Sequence, residues 1–113
     1  MPKQLLIAAC TLLVLAGCSK EDDARENARL AVKSLLKDPG SAEFTNERVL
    51  KDASGNPTVV CGEVNAKNAF GGYVGAQKFF DVIHTGSGTV MVRKADRFDD
   101  EFDKAYSAAG CGY

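Results

Sequence analysis

Few side chains in this 113-residue chain could do covalent or acid–base chemistry: one histidine, four cysteines and some clustered acids. A catalytic His84 would need a nucleophile and an orienting acid beside it. No nucleophile-elbow sequence is present, and His84 closes an apolar run just before Thr85-Gly86-Ser87-Gly88, which suits a structural or solvent-facing role. Asp99-Asp100-Glu101-Phe102-Asp103 is acidic enough for calcium, but the sixth position is Lys104 in place of Gly and no Glu closes a twelve-residue loop. These acids suit the first turn of a helix, with a weak contact to a basic partner as the other use. Gly71-Gly72-Tyr73-Val74-Gly75 lacks the Lys-Ser or Lys-Thr of a phosphate loop, so its glycines fit a tight bend. Cys61, Cys111 and His84 lack the clustered spacing of a zinc site. The expectation is no catalytic residue, no metal and no cofactor. A small hydrolase would need Glu63, Asp81 or His84 to converge, and nothing in the sequence leads there.

Asn65, Lys67, Asn68, Phe70 and Tyr73 form a denser group. Amide side chains offer paired donors and acceptors, and the aromatics offer rigid contact area on a loop. Two roles are open: Asn65 and Asn68 build the turn by bonding its backbone, which is the more economical reading, or the five residues recognise a partner. Charge excludes one class of partner. Lys plus Arg is 14 and Asp plus Glu is 15, a net charge of −1, so the basic footprint of a nucleic-acid binder is absent.

The N-terminus reads as an address. A short start containing Lys3 leads into Leu5 to Ala16, twelve uncharged residues. This fits the apolar core of a secretory signal and is short for a bilayer span. It ends in Leu15-Ala16-Gly17-Cys18, an apolar residue, two small residues and a cysteine, which resembles the lipobox of bacterial lipoproteins. A thiol can take a diacylglycerol as a thioether, and small residues let the backbone enter a narrow peptidase site. The resemblance implies a signal peptide over 1–17, lipidation of Cys18, a tether over 18–21 and a single domain over 22–113. Several acyl chains, at about 0.8 kcal/mol per buried CH₂, would anchor the chain stably in the lipid bilayer. Ser19 is not the Asp that marks inner-membrane retention in enterobacterial lipoproteins, so the resemblance implies the outer membrane, facing the periplasm. Without Lys3 the chain keeps 13 basic and 15 acidic side chains, so no basic patch assists the lipid.

Cys10 then leaves with the signal and Cys18 takes lipid. Cys61 and Cys111 remain, in an oxidising compartment, and are expected to pair. In the chain-entropy model, closing a loop of about fifty residues stabilises by about 4 kcal/mol.

The elements that must position these residues follow from periodicity. Asp22 and Asp23 suit a helix start. Ala24, Ala28, Ala31, Val32, Leu35 and Leu36 make one apolar stripe, and Asp38-Pro39-Gly40-Ser41 stops the helix in what reads as a type II turn. Strands are expected over 42–51, 58–66, 73–84 and 89–94, with a tight hairpin at 85–88. Asp96 is placed as the cap of a second helix that buries Phe98, Phe102, Ala105 and Tyr106 and ends before Gly110. The expected fold class is α+β: an N-terminal helix, about four antiparallel strands and a C-terminal helix, with the helices on one face of a twisted sheet. The third strand is apolar on both sides, so either both faces are covered, the favoured reading, or one is a docking surface.

Leu36 to Phe44 (LKDPGSAEF) and Cys61 to Gly75 (CGEVNAKNAFGGYVG), with Phe79-Phe80, resemble a group of small proteins, often lipoproteins, encoded by proteobacteria and their prophages. That resemblance implies no activity and no catalytic residue. In size, tether and disulfide the chain is also similar to phage-encoded lipoproteins that block a receptor, an analogy of architecture. The functional expectation is a membrane-anchored, non-enzymatic binding module for an envelope protein. The rivals are an immunity protein that neutralises a periplasmic toxin, through the acids after Asp96, and a small envelope hydrolase.

Overall fold

The computed structural model describes residues 20–83, 88–94 and 98–112. The expected signal, Cys18, His84, the 85–87 turn and Asp96 lie outside the described residues. Two helices flank a four-stranded antiparallel sheet, with order β1-β2-β3-β4. The first helix, α1, is described over 20–33. The strands are β1 (Glu43–Lys51), β2 (Pro57–Asn65), β3 (Gln77–Val82) and β4 (Thr89–Val92), and the second helix is α2 (Asp100–Ala108). Among the described residues, no helix is long and apolar enough to cross a membrane.

The two helices lie on opposite faces of the sheet, and not on one as expected. Strand alternation decides this. Val60, Val64 and Phe79 point to one face and pack with Ala24, Ala28 and Val32 of α1. Val59, Cys61 and Phe80 point to the other and pack with Phe102 and Tyr106 of α2. The pairings Gly62 with Phe79 and Cys61 with Phe80 keep each set in register. The two-sided apolarity of β3 is therefore the mark of a sheet covered twice.

α1 is amphipathic through Ala24, Ala28 and Val32, all buried. Small residues let it lie close to the sheet. Gly62 answers from below: a Cβ there would stand 2.8 Å from the Phe79 ring. Arg29 fixes the docking angle, with Nε donating to Glu47 of β1 at 2.9 Å and the guanidinium 5.8 Å from the Phe44 ring centroid. Lys20 and Glu21 are already helical, where an extended tether was expected. Glu21 pairs there with Arg25 and with Lys51 at the end of β1, and these contacts support the extra turn.

Other boundaries shift for local reasons. α1 ends at 33, so Leu35 leaves the stripe and is exposed. The expected type II turn is a 3-10 turn over Pro39–Ser41. The N–H groups of Ser41 and Ala42 donate to the carbonyls of Asp38 and Pro39, and Gly40 does not take a positive φ. β3 starts at Gln77, four residues later than expected, because 73–76 belong to a loop.

α2 is capped by Asp99, whose carboxylate accepts from the Phe102 N–H at 3.2 Å. It begins at Asp100, so the expected cap at Asp96 is replaced by Asp99, and Phe98 falls before the helix and is exposed. Two backbone bonds end α2, Gly110 N–H to Ser107 and Cys111 N–H to Tyr106. Gly110 takes φ +91° to make them, a Schellman motif. That motif delivers Cys111 to Cys61, and the two form the expected disulfide, with Cα atoms 5.8 Å apart. Phe80, Phe102 and Tyr106 pack ring against ring beside it, with centroids 5.4 to 6.2 Å apart.

Candidate recognition loop

The loop from Asn65 to Ala76 joins β2 to β3 and carries all five residues singled out for recognition. Its conformation is set by its own amides. Asn68 Oδ1 accepts from the N–H groups of Phe70 at 3.0 Å and Gly72 at 3.2 Å. The Asn68 backbone bonds Gly72 and Gly71, and Gly71 takes φ +82°, open to glycine at little steric cost. Asn65 Oδ1 accepts from the N–H of Gly75, which takes φ +94°. The turn-building role of Asn65 and Asn68 is therefore filled.

The loop is also tied to the Pro39–Ser41 turn. Ser41 Oγ donates to the Asp38 carbonyl and accepts from the Lys67 N–H at 2.8 Å. Tyr73 Oη donates to the Ser41 carbonyl at 3.1 Å. Lys67 and Tyr73 form a bridge across the loop, with the ammonium 5.6 Å from the ring centroid. Desolvation, then the carboxylates of Glu43 and Asp38, pushes the Tyr73 phenol above its ordinary range. The segments Leu36–Phe44 and Cys61–Gly75, far apart in sequence, thus meet at Ser41.

Against this scaffold Phe70 stands out. It is 97% exposed, and its backbone is held by Asn68. Tyr73 and Val74 beside it are also partly exposed. Between the loop and the end of α1 runs a groove of about 320 Å³. Its walls include Leu35, Lys37, Lys67, Val74 and Lys94. Sequence reading missed Lys37, Val74 and Lys94. They come from the segment after α1, the loop and the segment after β4, and only the tertiary fold brings them together.

The other candidates do not converge. Glu63 lies on the α2 face, where its carboxylate accepts from Asn46 Nδ2 at 3.3 Å. Asp81 lies on the α1 face, between Val60 and Val90 in the register. The sheet separates the two carboxylates, so they have no common substrate position. Of the acids after Asp96, Asp99 caps α2 and accepts from the Lys94 N–H, and both bonds hold its carboxyl below the usual range. Asp103 accepts from Arg93 Nε at 3.1 Å. Both are engaged within the chain. Among the described residues, no group of three or more His, Cys, Asp or Glu side chains forms a metal centre. The chain matches no protein-family model, no curated protein and no solved structure.

Proposed function

We propose that this chain is a lipid-anchored lipoprotein of the bacterial envelope, held by Cys18 and working as a non-enzymatic binding module for an envelope protein. The observation that carries the reading is Phe70, an almost fully exposed aromatic on a loop whose backbone is already fixed. Exposing a large apolar side chain forgoes the benefit of burial, and a pre-ordered loop lowers the entropy cost of docking. Interface anchors are of this kind. The cations along the adjoining groove favour a partner with an acidic, partly apolar surface. Receptor blocking is one form this activity would take.

The loop lies at the end of the sheet remote from the first turns of α1, which pack near Pro57 and Asp81. An anchor at Cys18 would therefore hold the module at the membrane with Phe70 facing away. Tethering raises the effective concentration of any partner in the same envelope.

The test places a photo-crosslinking amino acid at position 70 and, as a control, at position 98, where Phe98 is 93% exposed and lies outside the loop. In native envelopes, position 70 should yield a discrete adduct that position 98 does not. Identical adduct patterns at both positions would refute a dedicated recognition loop.

A further inference from the structure

At the opposite end of the sheet, a cavity of about 420 Å³ opens between the first turns of α1 and the ends of β2 and β3. Ala24, Pro57 and Ile83 give it apolar walls, the exposed Lys20, Asp23 and Asn27 of α1 stand at its edge, and the buried Asp81 lines it from the sheet. Asp81 is 8% exposed, the one charged residue buried among the described residues. Its carboxylate stands against the backbone of the next strand, since a Cβ at Gly88 would lie 3.1 Å from Oδ1.

A buried carboxylate is costly unless donors or a cation compensate it. Among the described residues, no side chain donates to Asp81 and no cation pairs with it. Burial alone acts on it, and pushes its carboxyl above the ordinary range. Lys20, though at the rim, is exposed and forms no ion pair with it. The site thus has space, apolar walls and a buried carboxylate that no described residue pairs, with Lys20 as the one cation among its described lining residues.

We propose that this cavity binds a primary ammonium group, with Asp81 as its counter-ion and the attached alkyl carbons lying on Pro57 and Ile83. An ammonium brings three N–H donors and a full charge to a carboxylate with open lone pairs. The Asn27 side chain at the edge offers a further acceptor. The ammonium comes either from a soluble alkylamine or from the ethanolamine headgroup of a membrane lipid. The lipid source rests on the anchored reading above, because it needs the bilayer beside α1. The exposed Lys20 would then meet the headgroup phosphate.

The probe is n-butylammonium chloride, titrated into the full-length isotope-labelled chain and followed by amide NMR, with n-butanol as the neutral control. The amide signals of Ala24, Asp81 and Ile83 should shift saturably with the amine and not with the alcohol. Asp81→Asn, which keeps the shape and removes the charge, should weaken binding by about tenfold or more. Asn27→Lys, at an exposed position, supplies a competing ammonium from the chain itself and should do the same. Phe70→Ala should leave binding unchanged, so that this site and the recognition loop stand or fall separately. A second arm treats the chain in phosphatidylethanolamine vesicles with a carbodiimide and uses phosphatidylcholine vesicles as the control. An Asp81–ethanolamine amide found by mass spectrometry assigns the headgroup as the source, and its absence assigns a soluble amine. No saturable shift with butylammonium, or affinity retained in both variants, overturns the proposal.

Discussion

Two aspartates show opposite couplings of charge to folding. Asp81 is buried and its carboxyl is raised, so the fold favours its protonated form. The resulting penalty is absent below the ordinary aspartate value of about 3.9 and grows as pH rises through the raised value. Asp81→Asn should therefore raise the urea midpoint at neutral pH and leave it nearly unchanged in acid. Asp99 is lowered by the N–H groups of Lys94 and Phe102. Its contribution is present above the ordinary value and is lost as pH falls through the lowered one. Asp99→Ala should lower the melting temperature at neutral pH, with the deficit shrinking in acid. Gly62 makes a steric case: an added methyl meets Phe79 at 2.8 Å and Glu47 at 3.2 Å. Gly62→Ala should cost about 1–3 kcal/mol in denaturant unfolding, as an overpacked core does. Sequence spacing could not single out this glycine, because its neighbours come from two other strands.

At the scale of elements, α2 depends most on a covalent tie. It is nine residues long, too short to be helical alone, and it buries only Phe102 and Tyr106 fully. The bond between Cys61 and Cys111 holds its end to β2 across a separation of 50 residues. Arg48 adds a hydrogen bond from its guanidinium to the Cys111 carbonyl at 2.8 Å. Reduction, or Cys111→Ser, should cost up to about 4 kcal/mol. Hydrogen exchange should then quicken first in α2, while the α1 face, which contains no disulfide, keeps its protection longer. The helix stripes and the central parts of the strands were legible because periodicity follows burial. The start of β3 was not: Tyr73 and Val74 have strand-like side chains, but the Asn65 and Asn68 bonds hold them in a loop.

For the whole molecule, the two ends of the sheet carry different surfaces. One end displays Phe70 beside a groove with Lys37, Lys67 and Lys94, while the other holds Asp81 near the start of α1. The described 14 residues of α1 span about 21 Å at 1.5 Å per residue. A lipid at Cys18 would therefore set the module's orientation as well as its location. Cys18→Ala should abolish incorporation of a labelled fatty acid into the chain, which the unaltered chain takes up. Absence of fatty-acid label on the unaltered chain would refute the anchored reading.

Residue order alone was enough to identify two amphipathic helices, four strands and the pairing of Cys61 with Cys111, since local periodicity and cysteine arithmetic are properties of the chain. It also singled out the loop around Phe70, because Asn and Gly at these spacings mark a turn. Tertiary structure decided which side of the sheet each helix covers, which of the five loop residues are spent on scaffolding, and that Asp81 lies buried in a cavity. Those outcomes depend on contacts between residues distant in sequence. The pattern along a strand marks its two faces without naming what will cover them.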